Sequence, residues 1–454
     1  MSPPFDLAVR GGTVVTDRGR ARLHVYVADG RVAHLGPEDL DAAESVDAGS
    51  LLVLPGMVDT HVHLMDPGPT EREDFPTGTS AAAANGVTTI VEHTHGHPVR
   101  EVQDLVDKVQ HLDGRSHVDF GLAAHAWPDR VDRISDLWRA GVVFFKIFTC
   151  DTHGLPGFSA ADVLAAFRML ARAGAPCLVH CEDDSITAAA ERALREGGWN
   201  DGAIIPEWRN REAELVATSA TSILARATGT RATIAHVSHP AAAELITDQR
   251  RRGGDLAAEA CPQYFILREH DVHEHGAFRK FTPPTRARSD QDEEEMWRLL
   301  RDGVLTHVST DHAPATREQK TDGDIWTVHF GLPGLDSTFR LLLDAGLTGR
   351  LALEDVVRVY STNPARRYGL WPRKGSLEPG SDADLVLVDP TATGVLRDED
   401  VISKAGWTPY AGRAVRGAAV RTYLRGRLVS EDRRVLGEPG GRHLVGPGYR
   451  PDPT

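Results

Sequence analysis

The sequence predicts an α/β protein, a (β/α)8 TIM-type barrel with a small β-sandwich domain formed from both chain ends. Three observations support this class. Eight short apolar runs alternate with helical segments in the middle of the chain, glycine-broken strand patterns occupy both ends, and polar residues end several of the runs. An open doubly wound sheet is the alternative that the same alternation allows. The runs are GMVDTHVHL, GVTTIVEH, HVDFGLAAHA, GVVFFKIFTC, PCLVHCE, RATIAHVS, LAAEACPQY and LTHVSTDHAP.

The two chain ends have a similar texture. DLAVRGGTVVT and LHVYVADGRVAHLG near the start, and GSLEPGSDADLVLVDP and AAVRTYLRGRLVSEDRRVLG near the end, read as short strands separated by glycine turns. Because chain termini often lie close together, we expect both ends to pair in one small domain. The predicted divisions are 1–53 and 372–436 for the β domain, 54–371 for the barrel, and 437–454 for a Gly- and Pro-rich tail, either an extended arm or a disordered end.

Composition excludes several classes of protein. The chain has 454 residues, 41% hydrophobic and 26% charged, which is enough for a sizeable core. The formal net charge of −14 argues against a general nucleic-acid binder. We find neither a secretory signal nor an apolar run long enough to span a membrane. The cysteines do not form a disulfide framework, so we expect a soluble cytoplasmic protein. They are Cys150, Cys177, Cys181 and Cys261.

Polar side chains interrupt the apolar runs where a barrel would place its active site. His61 and His63 are two apart at the end of the first run, so their side chains point into the same space. A single such histidine is usually a satisfied core residue. Several imidazoles with a carboxylate at successive strand ends instead predict a metal site, and zinc is the expected metal. The remaining polar residues of this set are Lys146, His180, His236 and Asp311.

Lys146 lies inside the apolar sequence VVFFKIF, where a buried ammonium is costly unless it is paired or neutralised. Burial lowers the pKa of a lysine and frees its amine as a nucleophile. A neutral amine can add CO2 to form a carbamate, an anionic ligand able to bridge two metals. The alternative is a lysine whose head reaches a carboxylate at the barrel mouth. The residue types alone leave both interpretations open.

The chain resembles the cyclic amidohydrolases of the amidohydrolase superfamily, which include hydantoinases, dihydropyrimidinases, allantoinases and dihydroorotases. The resemblance covers about residues 50–390 and rests on PGMVDTHVHL, DFPTGTSAAAANGVTTIVEH, FKIF, LVHCED, IAHVSH, CPQYF, PPTRARSDQDEEEMWRLLRDG, STDHAP, STNPARRYGL and KGSLEPGSDADLVLVDP. It implies a metal-dependent enzyme that hydrolyses a C–N bond of a cyclic amide or ureide. Hydrolysis of this kind uses a metal-bridging hydroxide.

The resemblance also implies roles for individual residues. His61, His63 and Asp311 would hold one divalent metal, and His180 and His236 would hold the second. A CO2-derived carbamate on Lys146 would bridge the two metals. Asp311 would take the proton of the attacking water and pass it to the leaving nitrogen.

The ring that is hydrolysed is less clear from the sequence. Dihydroorotases commonly carry an arginine two residues after the second histidine, and this chain has Met65 there. Hydantoinases usually place a tyrosine five residues after the lysine to bind the oxyanion, and this chain has Asp151. His153, Thr152 or a backbone N–H are candidate substitutes. HLMDPGPTEREDF and KAGWTPYAGR look like allantoinase, whereas CPQYF and GDIWTVHFGLPGLDS look closer to hydantoinase and dihydropyrimidinase.

We therefore expect a hydantoinase- or dihydropyrimidinase-like enzyme, with allantoinase as the first alternative. A hydrolase of an unusual lactam or imide ring is the second, because of the segment CDTHG, and a non-catalytic scaffold on the same fold is the third. The expected partner is a small cyclic ureide or amide, and relatives suggest a homo-oligomer, either a dimer or a tetramer. Candidate substrate-binding residues are Asp151, His153, Pro284, Gly331, Leu332 and Pro333.

Two further features of the sequence each allow two interpretations. His93, His95 and His97 follow the second run, where they are either extra metal ligands or part of a solvated polar rim; the rim is the favoured interpretation. Cys150 lies four residues after Lys146 and is expected to be a small buried hydrophobe rather than a site residue.

Overall fold

The computed structural model describes residues 4–451. Its strands, in chain order, are β1 (Phe5–Thr16), β2 (Gly19–Ala28), β3 (Arg31–Gly36), β4 (Ala42–Asp47), β5 (Leu52–Pro55), β6 (Met57–Val62), β7 (Val87–Glu92), β8 (Asp119–Leu122), β9 (Ala124–His125), β10 (Phe145–Phe148), β11 (Cys177–His180), β12 (Ala232–Ile234), β13 (Leu256–Ala260), β14 (His307–Val308), β15 (Leu385–Val395), β16 (Ala414–Leu424), β17 (Arg427–Glu431) and β18 (Arg434–Val435).

The helices are α1 (Phe75–Ala84), α2 (Val102–Leu112), α3 (Ile134–Ala140), α4 (Ala160–Ala173), α5 (Asp184–Glu196), α6 (Ile204–Trp208), α7 (Arg211–Thr228), α8 (Pro240–Arg251), α9 (Gln263–Ile266), α10 (Asp271–His275), α11 (Asp290–Arg301), α12 (Arg317–Thr321), α13 (Thr338–Leu347), α14 (Leu353–Val357) and α15 (Asn363–Arg367). Short 3-10 turns occupy Pro128–Arg133, Gly276–Arg279 and Asp398–Asp400, and a π turn occupies Arg358–Thr362.

The predicted barrel is confirmed, and each of the eight apolar runs supplies one of its strands. Parallel pairing runs from β6 through β7 to β8 and from β9 through β10 to β14. β8 and β9 are two parts of one strand interrupted at Ala123. The ring closes where the backbone N–H of His63 donates to the carbonyl of His312 at 2.8 Å. The strands alternate with helices because each apolar run is followed by an amphipathic segment that packs back on the sheet.

Both chain ends contribute to one nine-stranded sheet, as the sequence predicted. β5 pairs antiparallel with β15, and β1 pairs with β2, β4 and β5. The pairing of β1 shifts between Val9 and Gly12, where a side chain at Gly12 would overlap Val53. The sheet encloses its own apolar core, which draws Val9, Val53 and Leu387 from both ends of the chain. This core is separate from the larger one of the barrel.

Residues 437–451 form an extended arm that lies against the barrel. The N–H of Phe120 donates to the carbonyl of Arg442 at 3.0 Å, and the N–H of Leu444 donates back to Phe120 at 2.7 Å. The rest of the predicted tail, 452–454, lies outside the described residues. Across residues 4–451, none of the helices is both long and apolar enough to cross a membrane.

Candidate active site

The carboxyl ends of the barrel strands bring the six predicted metal-site residues into one buried cluster. His61 is the last residue but one of β6 and His63 follows the strand, Lys146 lies on β10, and Asp311 follows β14. Asp311 Oδ1 lies 3.1 Å from His61 Nε2 and 3.2 Å from His63 Nε2, and Lys146 Nζ lies 3.2 Å from the same His61 nitrogen. Two imidazole nitrogens, one carboxylate oxygen and one amine therefore converge on a single point.

A second pair of imidazoles lies beside this point. His180 ends β11, and His236 follows β12. His180 Nδ1 is 2.9 Å from His236 Nε2, and the ring centres of His61 and His236 are 5.6 Å apart. The structure thus brings all six predicted residues together, as two adjacent groups of nitrogen and oxygen atoms.

The outer nitrogen of three of these histidines has an oxygen acceptor. His61 Nδ1 is 2.7 Å from the carboxylate of Glu259, His180 Nε2 is 2.8 Å from that of Glu182, and His63 Nδ1 is 2.6 Å from the carbonyl of His93. An acceptor there holds the proton on the outer nitrogen and leaves a lone pair on the inner one. The donor set therefore fits a metal centre, because the inner nitrogens of His61, His63 and His180 face the cluster.

Lys146 has no carboxylate within 4.0 Å of its ammonium nitrogen among residues 4–451, although its side chain is only 1% exposed. Burial lowers its pKa to about 8, despite the opposing fields of Asp311 and Glu259. The amine is therefore partly neutral near physiological pH, which is the form that adds CO2. Of the two sequence interpretations, a direct ion pair at the barrel mouth does not account for this lysine.

Burial alone would raise the pKa of Asp311, but the two histidines His61 and His63 outweigh it and hold that pKa well below its usual range. The carboxylate is therefore ionised and able to act as ligand or base. Asp311 and His236 have φ of 51° and 36°, in the left-handed region that side chains rarely adopt. Such strain is typical of functional positions, since the surrounding structure must hold it in place.

Sequence reasoning missed the carboxylates that orient the histidines. Glu259 interrupts the apolar strand β13 and Glu182 follows His180 by two residues, and both are fully buried. Glu182 also accepts from Thr282 at 2.6 Å and from Arg209 at 3.5 Å. An acidic residue inside an apolar strand was the signal available for Glu259, whereas the contacts of Glu182 involve loops that the sequence could not place.

The segment after β10 places its polar residues differently. Asp151 is exposed, and its carboxylate accepts from the N–H of Gly157 at 2.6 Å, within its own loop. His153 instead stacks on His95, with ring centres 4.3 Å apart, and its φ is 54°. Burial holds the pKa of His153 well below its usual value, further lowered by the nearby His180 and His63. Of these two candidates, only His153 turns toward the ligand cluster.

The other substrate-binding candidates line the loops above the barrel and are buried. Gly331 donates its N–H to the carbonyl of Lys280 at 3.0 Å, and its φ of 115° together with the closeness of Ala313 excludes a side chain there. The carbonyl of Leu332 accepts from Ala313 at 3.0 Å. Pro333 and Pro284 complete this set. Their contact with a substrate stays a prediction.

The histidines after the second strand are only partly a solvated rim. His97 is exposed, as the sequence analysis favoured, but the side chain of His93 is only 1% exposed and lies against His61 and His63. The rim interpretation was wrong for His93 because the segment folds inward over the barrel mouth. Cys150 is a buried thiol, as expected, and burial raises its pKa to about 12.

Comparisons with known proteins identify the class of this fold and site. Residues 52–429 match the amidohydrolase family. The chain is 40% identical over 449 residues to an allantoinase of Rubrobacter xylanophilus, covering 97% of each chain. It is 35% identical to an allantoinase of Deinococcus radiodurans, covering 97% of this chain and 98% of that one.

Solved structures agree with this result. The L-hydantoinase (dihydropyrimidinase) of Arthrobacter aurescens superposes with a TM-score of 0.93 at 31% identity, covering 97% of this chain and all of that one. The dihydropyrimidinase of Brevibacillus agri gives 0.90 at 26% identity, covering 98% and 99%.

The chain belongs to the amidohydrolase family, whose members are metal-dependent hydrolases. Within it, the protein is a cyclic amidohydrolase of the group that contains hydantoinases, dihydropyrimidinases and allantoinases.

Proposed function

We propose that this enzyme opens the hydantoin ring of allantoin. The observation that carries the proposal is the 40% identity to an allantoinase along nearly the whole of both chains. Allantoin is a hydantoin that bears a ureido group, so the similarity to hydantoinase structures supports the same ring chemistry. The ureido group distinguishes the two substrates, and its N–H groups suit a neutral imidazole such as His153.

A plain or 5-substituted hydantoin, or a dihydropyrimidine, is the second candidate substrate. The observation in its favour is the close superposition on an L-hydantoinase (dihydropyrimidinase). A specialised lactam or imide is a third candidate substrate. It is suggested by the unusual segment CDTHG, in which Asp151 replaces the expected tyrosine.

We propose that the cluster holds two divalent metal ions, zinc in the native enzyme. His61, His63 and Asp311 would hold one ion, and His180 and His236 would hold the other. Lys146, carboxylated by CO2, would lie between them; its burial, its lack of an ion pair and its depressed pKa support this role. When bound, the metals supply a water of lowered pKa and a Lewis acid for the substrate carbonyl.

The protein's own contribution begins with Asp311. Its ionised carboxylate lies at the centre of the cluster, so it is placed to take the proton of the attacking water. The same oxygen would then deliver that proton to the ring nitrogen as the C–N bond breaks. Glu259 and Glu182 hold the histidine rings in place during both steps.

His153 is proposed as the donor to the oxyanion that forms at the carbonyl. The ring is neutral because burial depresses its pKa, so it has one N–H to donate. Its left-handed backbone and its stacking on His95 fix the direction of the ring. A donor already in position stabilises developing charge without reorganisation. The buried backbone of Gly331, Leu332 and Pro333, with Pro284, would line the substrate.

Further proposals concern the protein's organisation and setting. The sequence-based divisions at 371 and 436 are kept as domain boundaries, whereas the first boundary is placed after Pro55, because all of β5 pairs with β15 in the β domain. A homo-oligomer, dimer or tetramer, and a cytoplasmic location are also proposed; the four buried free cysteines support a reducing compartment.

A ring-opening assay tests the proposed substrate. The enzyme would be produced with zinc and bicarbonate and offered allantoin, hydantoin, phenylhydantoin, dihydrouracil, dihydroorotate and a simple lactam. We expect kcat/KM for allantoin to exceed that for hydantoin by about 100-fold or more, since a site that pairs the ureido group penalises its absence. Equal or faster turnover of hydantoin or dihydrouracil would instead identify the second candidate.

A further inference from the structure

Three imidazoles outside the predicted two-metal set form a second cluster at the barrel mouth, which we call the three-histidine cluster. It consists of His93 and His95, which follow β7, and His125, which ends β9. Each offers one ring nitrogen such that the three atoms lie within 4.8 Å of one another. The chain segments that carry them are adjacent because β7 and β8 pair in the barrel.

The polar atoms of this cluster lack protein partners. Among residues 4–451, both ring nitrogens of His93, both of His125 and Nε2 of His95 have no hydrogen-bond partner. The side chains of His93 and His125 are only 1% and 3% exposed. Unpaired polar atoms in such burial are costly, and native structures rarely keep them without a ligand or a functional reason.

The surroundings of the cluster explain why protein groups do not satisfy it. The ring centre of Phe144 lies 5.5 Å from that of His93, and the ring centre of Phe148 lies 5.7 Å from that of His95. Phe148 also stacks on His125, with ring centres 6.1 Å apart. These aromatic rings have no hydrogen-bonding groups to offer, which leaves the ring nitrogens of the cluster without protein partners in the part of the chain described.

We propose that the three-histidine cluster binds a third divalent transition-metal ion next to the two-metal centre. His93 borders both, because one of its ring nitrogens also lies within 4.8 Å of ring nitrogens of His61 and His63. Three neutral imidazoles are a common ligand set for Zn²⁺ and Co²⁺, with a fourth position left for water or substrate. Zinc bound at about 2.0–2.1 Å requires nitrogens about 3.4 Å apart. The three nitrogens lie within 4.8 Å of one another, so binding requires them to approach by at most about 1.4 Å.

The contacts also predict that this site binds metal more weakly than the two-metal centre does. His61, His63 and His180 have acceptors on their outer nitrogens, whereas His93 and His125 have none in the part of the chain described. Loss of such acceptors weakens metal binding by about 10- to 100-fold. The rings of His93 and His95 also lie only 4.5 and 4.1 Å from that of His63, so an ion there experiences repulsion from the neighbouring centre. The third ion should therefore bind last.

Metal titration of the full-length enzyme tests the proposal. Purified protein would be dialysed against rising free Zn²⁺, and separately Co²⁺, and the bound metal counted per chain. We expect two equivalents to bind tightly and a third to follow at about 10- to 100-fold higher free metal. Cobalt should add a distinct visible absorption band as the third equivalent binds, because its all-nitrogen set differs from that of the first two.

Variants assign the third equivalent to the cluster. His125→Phe and His95→Phe should each remove the third equivalent and keep the first two. Two variants are used because replacing the buried His125 could also disturb folding. His95 lies in a loop and is less buried, so its replacement is a safer test of metal binding. His97→Phe, in the same loop but exposed, is the matched control and should retain three equivalents.

The proposal is overturned if the wild-type chain never exceeds two equivalents, or if a third persists in both cluster variants. His180→Ala separates this result from the two-metal proposal. That variant should lose an equivalent of the tight class while the weak class remains, so failure of one site does not imitate failure of the other.

Discussion

Replacing Glu259 with glutamine should weaken metal binding at His61 while leaving the fold intact. Glu259 is fully buried and its carboxylate lies 2.7 Å from His61 Nδ1. Burial alone would raise the pKa of this carboxyl, but His61 and His307 outweigh it and hold the pKa well below its usual value, so the acceptor is ionised. Glutamine keeps the shape and one acceptor but removes the charge that stabilises the N–H of His61.

The size of the effect follows from this hydrogen bond. A buried bond to a charged group contributes about 1.5–3 kcal/mol, which corresponds to about 10- to 150-fold in an equilibrium constant. This range agrees with the 10- to 100-fold cost typical of removing the partner of a metal-bound histidine. We therefore expect Glu259→Gln to lower the affinity of one metal equivalent by about 10- to 100-fold. At limiting metal, kcat should fall in the same proportion.

The assay is competition with a chelator, followed by counting of bound zinc. Asp336→Asn is the matched control, because Asp336 is also a buried carboxylate but accepts from the backbone of Ile402 and Ser403. That variant should lose stability without losing metal. If Glu259→Gln holds zinc as tightly as the wild-type enzyme, the proposed orientation of His61 by Glu259 is refuted.

Three further predictions concern other parts of the molecule. Lys146→Ala should lose metal and activity, and short carboxylic acids should partly restore both; full metal loading without them would contradict the carbamate. His153→Phe should lower kcat about 100- to 1,000-fold with little change in KM, whereas His97→Phe should change neither. Burial lowers the pKa of His443 to about 4 in the folded protein. As the pH falls below 6.5, the unfolded chain therefore binds a proton at His443 before the folded protein does, and this favours unfolding. His443 alone should lower the free energy of unfolding by at most about 3 kcal/mol between pH 6.5 and 4, and the total drop, measured by thermal unfolding, should be smaller by that amount in His443→Phe.

The barrel was predictable because its signals are local. Each strand is a short apolar run, and the helices between them end at glycines such as Gly174 and Gly229, whose left-handed φ of 69° and 74° stops the helix. That both chain ends contribute to one β domain was also predictable, since both ends have the same strand texture. The residues of the proposed metal site could be predicted because His61, Lys146 and Asp311 interrupt apolar sequence, and a barrel brings its strand ends together.

The parts that the sequence did not predict depend on long-range packing. The three-histidine cluster needs His125 from β9 beside a loop that follows β7, and no spacing in the chain encodes that contact. The direction of the His153 side chain depends on its own left-handed backbone, with φ of 54°, within a loop. The carboxylates of Glu259 and Glu182 could be seen in the sequence, but their partners became clear only from the distances.

Anomalous diffraction at the zinc edge, from crystals of the enzyme grown with zinc and bicarbonate, tests the central claim most directly. The account predicts two strong peaks a few ångströms apart. One would lie against His61, His63 and Asp311, the other against His180 and His236, with density for a carboxylated Lys146 between them. A single peak, or peaks bound elsewhere with Lys146 unmodified, would contradict the proposed two-metal centre.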